Sequence, residues 1–264
     1  MAELRRTISC VMIVLNEESN VRKALESVQW MDQIIVVDAY SQDGTVAICQ
    51  EYTAEVLLRK WTGAPDQRNY AIQHATCDWV FNLDADERVL PKLREELEAV
   101  LASPNPPTYA GYFIPRKNFY YGKWVQGGGW YPDYQLRFFK RGVGAYGEVE
   151  VHPRFNMTGA IGYFRHPMEH LTFPTIAKHV QKENAFTTRA AKERRKQKRY
   201  VTVLDLFGRP LFSFAKYYLV RKGYRDGIHG LIASGFSSFY TFGKYAKLWE
   251  LEYNSYKESA QMKK

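Results

Sequence analysis

An apolar run that ends abruptly in acids constrains this chain more than any other feature. In residues 77–87, CDWVFNLDADE, the β-formers Trp79, Val80, Phe81 and Leu83 lead straight into Asp84, Asp86 and Glu87. A run that is apolar throughout suits a central strand of a parallel sheet, buried on both faces. Ligands of open α/β sheets bind at the carboxyl ends of such strands. Hard carboxylate ligands two residues apart suit Mg²⁺ or Mn²⁺ carrying phosphates. The plainer alternative is a solvated Asp-rich turn before the helix at Pro91, with Glu87 capping that helix.

The neighbouring pattern agrees with a sheet. Residues 8–15 predict a strand, 18–28 a helix with Val21, Ala24, Leu25 and Val28 on one face, and 33–38 a second apolar strand. This βαβ unit implies parallel strands and a right-handed crossover. The turn SQDGT at 41–45 leads into a helix over 46–52, and a strand over 55–58 and a short helix over 66–75 follow. The strand 79–83 and an amphipathic helix over 91–102 complete this half, closed by SPNPP at 103–107. The alternation places the chain in the α/β class. From residue 109 the texture turns aromatic and Gly-rich, with strands expected at 112–115 and 135–139. A basic helical stretch over 176–200 follows, then a helix opened by Pro210 at a first-turn position, then an apolar segment over 228–249.

Charge is divided unevenly. Residues 1–170 carry 18 Lys+Arg against 21 Asp+Glu, net −3, whereas residues 171–264 carry 19 against 7, net +12. A basic last third points to a polyanionic partner, either nucleic acid or an anionic membrane surface. Cys10, Cys49 and Cys77 are an odd number in apolar contexts without metal spacing, so reduced, inert core thiols in a cytosolic setting are expected. The N-terminal apolar stretch is short and β-rich and lacks a small-residue cleavage site, so it predicts a buried strand rather than a signal peptide.

Six segments in order, VMIVLNEESNV, IIVVDAYSQDGT, APDQRNYAI, WVFNLDADERV, GGWYPDYQLRFFKRG and YRDGIHGL, make the chain resemble a family 2 glycosyltransferase of the GT-A fold. Within that family it is similar to the β-1,4-glucosyltransferases of the lipopolysaccharide inner core. The resemblance implies a Rossmann-like, mostly parallel sheet flanked by helices, forming a nucleotide-sugar-binding and catalytic domain over 1–175, with a helical, basic-aromatic extension over 176–264. It implies a nucleotide-proximal loop at Leu15, Asn16 and Glu17, an acid at Asp38 that meets the uracil ring, and a basic residue at Arg68 near the nucleotide. It also implies an Asp-x-Asp motif, with Asp84 toward the ribose or the metal shell and Asp86 a ligand of a divalent metal, Mg²⁺ or Mn²⁺. His170 is the matching candidate for a further metal ligand, with His166 beside it.

Inverting transfer also needs a general base for the acceptor hydroxyl. Asp133 lies where the family keeps its catalytic acid, and Glu148, Glu150 and His152 compete for the role. Trp124, Trp130, Tyr131 and Tyr134 are candidates for an acceptor-sugar platform, because aromatic faces suit sugar C–H surfaces, although each is equally at home in an aromatic core.

The implied partners are a UDP-sugar donor, UDP-glucose by the subgroup's precedent, and a membrane glycolipid acceptor reached from the cytosolic face, with a polyprenyl-phosphate carrier as the alternative. Residues 228–243 carry no formal charge but are too few to span a bilayer, which takes about 20 apolar residues. Helices lying peripherally in an anionic membrane interface are therefore expected, against a helical appendage or dimer interface. A nucleotidyltransferase would need a Gly-rich, Lys-containing phosphate loop, which LNEESN is not. Nucleic-acid binding would explain the charge, but the basic run 192–199 carries no recognition motif.

Overall fold

The computed structural model describes residues 5–147, 155–196 and 200–261. The competing base candidates Glu148, Glu150 and His152, and Lys198 and Arg199 of the basic run, lie outside the described residues. The chain forms two compact units, residues 1–117 with 132–171 and residues 118–131 with 172–264. The sequence division at 175/176 is continuous, whereas this one assigns the loop 118–131 to the C-terminal helices.

In the first unit, β1 (Ile8–Val14), α1 (Glu18–Glu26), β2 (Gln33–Asp38), α2 (Thr45–Gln50), β3 (Val56–Leu58), α3 (Ala64–Gln73) and β4 (Trp79–Asp84) alternate as expected. β1 pairs in parallel with β2 and with β4, and β2 pairs in parallel with β3. The continuous apolar strands are explained by the two faces they cover. Cys10, Met12, Val14, Trp79, Phe81 and Leu83 pack with Val21, Ala24 and Leu25 of α1, while Val11, Ile35, Val37 and Val80 pack with Ala71 of α3. Successive side chains point to opposite faces, and both faces are roofed.

After β5 (Glu87–Arg88), α4 (Pro91–Ala102) adds Leu93, Leu97 and Leu101 to the first of these cores. The sheet then continues with β6 (Gly111–Tyr120), which pairs antiparallel with β7 (Lys123–Trp124) and with β8 (Asp133–Lys140). β9 (Gly144–Tyr146) and β10 (Phe155–Met157) form a separate ribbon, while β11 (Ile161–Tyr163) joins β6. β12 (Met168–Phe173) pairs antiparallel with β5, so the order is β3-β2-β1-β4-β8-β6-β12-β5. All three cysteines are free and buried, and burial pushes the Cys10 and Cys49 thiols up to about 12. Cys10 and Cys49 therefore stay protonated at neutral pH, which makes them poor nucleophiles.

The second unit is helical: α5 (Ile176–Lys196), α6 (Val203–Ala215) and α7 (Ile228–Gln261), with a π turn at Lys216–Val220 and a 3₁₀ turn at Gly223–Asp226 between the last two. Pro210 does not open α6, as the sequence led us to expect. A Thr202–Asp205 capping box starts that helix at Val203 and leaves Pro210 in its interior. Two satisfied N-terminal donors fix the start, and packing of the buried Pro210 on α7 outweighs its local preference. The segment YRDGIHGL acts as a latch. The buried Asp226 carboxylate accepts from the Gln126 and Gly127 N–H groups at 3.1 and 2.6 Å. A Cβ at Gly127 would meet Lys222 O at 2.5 Å, so the loop can close only on glycine.

Candidate active site

The parallel strands end on one edge, and the loops there are held in strained turns. Asn16 and Tyr40, at the ends of β1 and β2, have φ of 54° and 65°, a conformation that costs a non-glycine residue about 1 kcal/mol or more. Hydrogen bonds hold both turns. Asn16 N–H donates to Ser41 Oγ (2.8 Å) and Asn16 Oδ1 accepts from Gln42 N–H (2.8 Å). Asp38, fully buried, accepts from Ser41 N–H at Oδ1 (2.8 Å) and from the Ser41 hydroxyl at Oδ2 (2.5 Å). Its carboxylate shapes the turn. Glu17 N–H donates to Thr45 Oγ1 (2.8 Å), its carboxylate accepts from Asn20 Nδ2 (2.9 Å), and Leu15 beside it is exposed.

At the end of β4 the three acids have three different environments. Asp84 accepts from Arg68 at Oδ1 (2.6 Å) and from Arg137 at Oδ2 (2.5 Å). Burial alone would raise its carboxyl, but the Arg137 and Arg68 guanidiniums outweigh that and hold it well below the usual carboxylate range. Arg68 is therefore no solvated helical arginine. Glu87 is no solvated helix cap either. It is fully buried, its Oε2 accepts from Asp84 N–H (3.0 Å), and its Oε1 accepts from Arg137 (2.6 Å) and Arg116 (3.1 Å). A buried carboxylate survives only when paired and hydrogen-bonded, and two guanidiniums meet that demand. Burial works against the charge on Arg137, but Asp84 and Glu87 keep its pKa well above the ordinary value.

Arg116 carries the chain of charges onward to Asp133. Its Nε and Nη2 donate to Asp133 Oδ2 at 2.9 and 2.5 Å, and Gln135 Nε2 donates to Oδ1 at 2.9 Å. Arg68, Asp84, Arg137, Glu87, Arg116 and Asp133 thus form a line of alternating sign. The β6–β8 pairing sets Arg116 opposite Asp133, so the sheet register itself builds this end of the line.

Asp86 stands apart from the line. The β5–β12 pairing places His170 opposite Glu87, and His170 Nε2 lies 3.6 Å from Asp86 Oδ2, with both side chains largely buried. A carboxylate and an imidazole at that separation fit one shared divalent ion. Among the described residues no group of three His, Cys, Asp or Glu forms a metal cluster, so the remaining ligands would be oxygens of a bound phosphate or water. His166 pairs instead with Glu96 at 3.2 Å.

The aromatic candidates have separate local partners. Trp124 meets Tyr131 edge-on at 5.2 Å, Trp130 stacks on Tyr217 at 5.9 Å, and Tyr134 meets Tyr163 edge-on at 5.1 Å. Sequence reasoning missed Arg116 altogether and left Glu87 as a cap. The signal available was a charge inside an apolar-aromatic strand pattern, at Arg116 in β6 and Arg137 in β8.

A mixed sheet of this order, with acids at the ends of its parallel strands, is the GT-A fold. Residues 9–171 match the family model described as Glycosyl transferase family 2. The chain belongs to that family and is a glycosyltransferase. An uncharacterized glycosyltransferase of Rickettsia felis is 28% identical over 259 residues, 92% of this chain and 89% of that protein. The lipopolysaccharide core biosynthesis glycosyltransferase LpsC of Rhizobium meliloti is 28% identical over 255 residues, 92% of each chain. Among solved structures, the mannosyltransferase PcManGT from Pyrobaculum calidifontis, in complex with GDP-Man and Mn²⁺, superposes with a TM-score of 0.50 at 15% identity, covering 93% of this chain and 88% of that one.

Proposed function

We propose that this glycosyltransferase moves glucose from UDP-glucose, with a divalent ion, to a glycolipid of the lipopolysaccharide inner core, with inversion at the anomeric carbon. The observation that carries the reading is the Asp86–His170 pair at 3.6 Å beside an Asp84 already held by two arginines. It supports dividing the acidic motif between Asp86, which would hold the ion, and Asp84, which orders the site. The name of LpsC supports the acceptor, and the GDP-Man and Mn²⁺ bound to PcManGT support a nucleotide sugar and a divalent ion.

In this reading Leu15, Asn16, Glu17, Asp38 and Arg68 line the nucleotide's side of the sheet edge. Asp86 and His170 would hold Mg²⁺ or Mn²⁺, which would supply positive charge to offset that of the departing diphosphate. Asp133 takes the proton of the acceptor hydroxyl as its oxygen bonds to the anomeric carbon and the bond to the diphosphate breaks. Arg116 fixes the Asp133 carboxylate so that one orientation faces the acceptor. Tyr134, beside Asp133 on β8 and exposed, receives the acceptor sugar. The protein works at the cytosolic face of the membrane as a peripheral enzyme.

The test is a panel of UDP-, GDP- and dTDP-sugars, each with and without Mn²⁺, read by thermal stabilisation and by transfer to heptose-terminated lipopolysaccharide. A ligand that binds only the folded state raises its melting temperature. Stabilisation by UDP-glucose that needs Mn²⁺, and transfer that a chelator stops, are expected. Chelator-resistant transfer would sink the metal assignment, and transfer to a polyprenyl phosphate but not to lipopolysaccharide would replace the acceptor.

A further inference from the structure

Helix α6 turns most of its large apolar side chains to solvent. Its inward face carries Asp205, Pro210 and Ser213, all buried. It meets α7 through Leu206, which packs with Tyr245 and Leu248, and through polar contacts: the Ser213 hydroxyl donates to Ser237 O (3.2 Å) and the Ser238 hydroxyl donates to Pro210 O (2.9 Å). Its outward face carries Val203, Leu204, Phe207 and Leu211, which are between 70 and 74% exposed. Spacings of three and four put these four on one stripe. Phe212 on the same helix, Val220 in the π turn and Ile228 at the start of α7 are exposed to a similar degree. A contiguous apolar stripe of large side chains marks a surface that something covers.

Charge decides what covers it. Residues 200–243 contain five basic side chains, Arg209, Lys216, Arg221, Lys222 and Arg225, and two acids, Asp205 and Asp226. Both acids are buried and bonded internally, Asp205 to Thr202 and Arg209, Asp226 to the Gln126 and Gly127 amides. Arg221, Lys222 and Arg225 are exposed. What the segment presents outward is therefore apolar and cationic, with no exposed acid. A second copy docking through the same surface would bring two cationic rims together. A layer of lipid phosphates above acyl chains complements both components. No helix among the described residues is long and apolar enough to cross a membrane, and the 13 residues of α6 fall short of the roughly 20 that a span takes.

We infer that α6 docks this protein on an anionic phospholipid bilayer, the stripe of Val203, Leu204, Phe207 and Leu211 entering the interface while Arg221, Lys222 and Arg225 meet lipid phosphates. The inference deepens the glycolipid reading above, rests on it for the choice of acceptor, and stands on residues outside the reacting site.

The experiment is co-sedimentation of the full chain with vesicles of phosphatidylcholine mixed with phosphatidylglycerol, and with pure phosphatidylcholine, at low and high salt. Wild type is expected to sediment with the mixed vesicles, less so at high salt and less so with the neutral ones. The double variant Phe207→Ser/Leu211→Ser is expected to bind them at least about tenfold more weakly with an unchanged melting temperature and unchanged UDP-sugar binding. The variant Lys222→Gln/Arg225→Gln, which leaves the stripe intact, should lose only the salt-sensitive part. Undiminished vesicle binding by the serine variant, or no binding by wild type, overturns the inference. A dimer by light scattering that the serine variant dissociates overturns it in favour of a second copy. Vesicle binding that tracks the stripe in a protein that binds no nucleotide sugar upholds the docking surface and sinks the glycolipid-transfer reading.

Discussion

The two units break the usual rule of polar outside and apolar inside in opposite directions. The α/β unit buries charge: Glu87 is fully enclosed and Arg137 nearly so, each paired on more than one side. The helical unit exposes apolar surface, with α6 turning leucine and phenylalanine outward and its buried acid inward. Stability alone favours neither arrangement. A buried ion network does no better than an apolar core of the same volume, and an exposed apolar stripe is a liability in water. Together they teach that the first unit is organised around charge that must stay fixed, and the second around a surface that water does not finally cover.

The sharpest way to break this comparison is at Glu87. Glu87→Ala leaves Arg137 and Arg116 facing a buried vacancy, and unpairing buried charges costs about 3–5 kcal/mol. Chemical denaturation should show a loss of that size, and a loss below about 1 kcal/mol would mean that the network tolerates water and is not the rigid frame described. Next in size, Asp86→Ala and His170→Ala should each lower turnover about 10²- to 10³-fold, the scale of losing one strong electrostatic contact to a developing charge, with the melting temperature kept. An unaffected His170→Ala enzyme would remove that residue from the ion. Asp133→Asn should lower kcat about 10²-fold with donor KM unchanged, because a base acts in the transition state. A raised donor KM at constant kcat would move Asp133 to donor binding.

A smaller effect is read by pH at Asp84. The Asp84 carboxyl is held below its unfolded value by Arg137 and Arg68, so its contribution is fully present above about pH 4, the unfolded carboxylate pKa, and fades as the pH falls toward the lowered one. Asp84→Asn should therefore flatten the acid limb of the stability curve, whereas an acid limb as steep as wild type would show that Asp84 is not the group being protonated. The smallest effects belong to the rim of the helical unit. Lys222→Gln and Arg225→Gln should each weaken vesicle binding by about 1 kcal/mol at low salt, and a loss that does not shrink with added salt would point to packing instead of charge.

Much of the α/β unit was legible in the chain. Continuously apolar strands, helices with one apolar face and an acid-ended strand dictate a roofed parallel sheet with chemistry at its edge, because the local apolar pattern reports which faces are buried. The expected span of α4, residues 91–102, coincides with the helix found, and the acids at 84 and 86 lie at the end of β4. The helical unit was less legible. Pro210 read locally as a helix start, yet the capping box at Thr202 and Asp205 and the packing on α7 outweighed it.

What no reading along the chain could supply is which charges meet. The sequence determined that Asp84, Asp86 and Glu87 follow one strand, since covalent order and hydrophobic period are local properties. The antiparallel returns of β8, β6 and β12 decided that Asp84 meets Arg137, that Glu87 is enclosed between Arg137 and Arg116, and that Asp86 faces His170. Strand register sets these partners, and it depends on pairings between residues up to 83 positions apart, whose energies no local window contains.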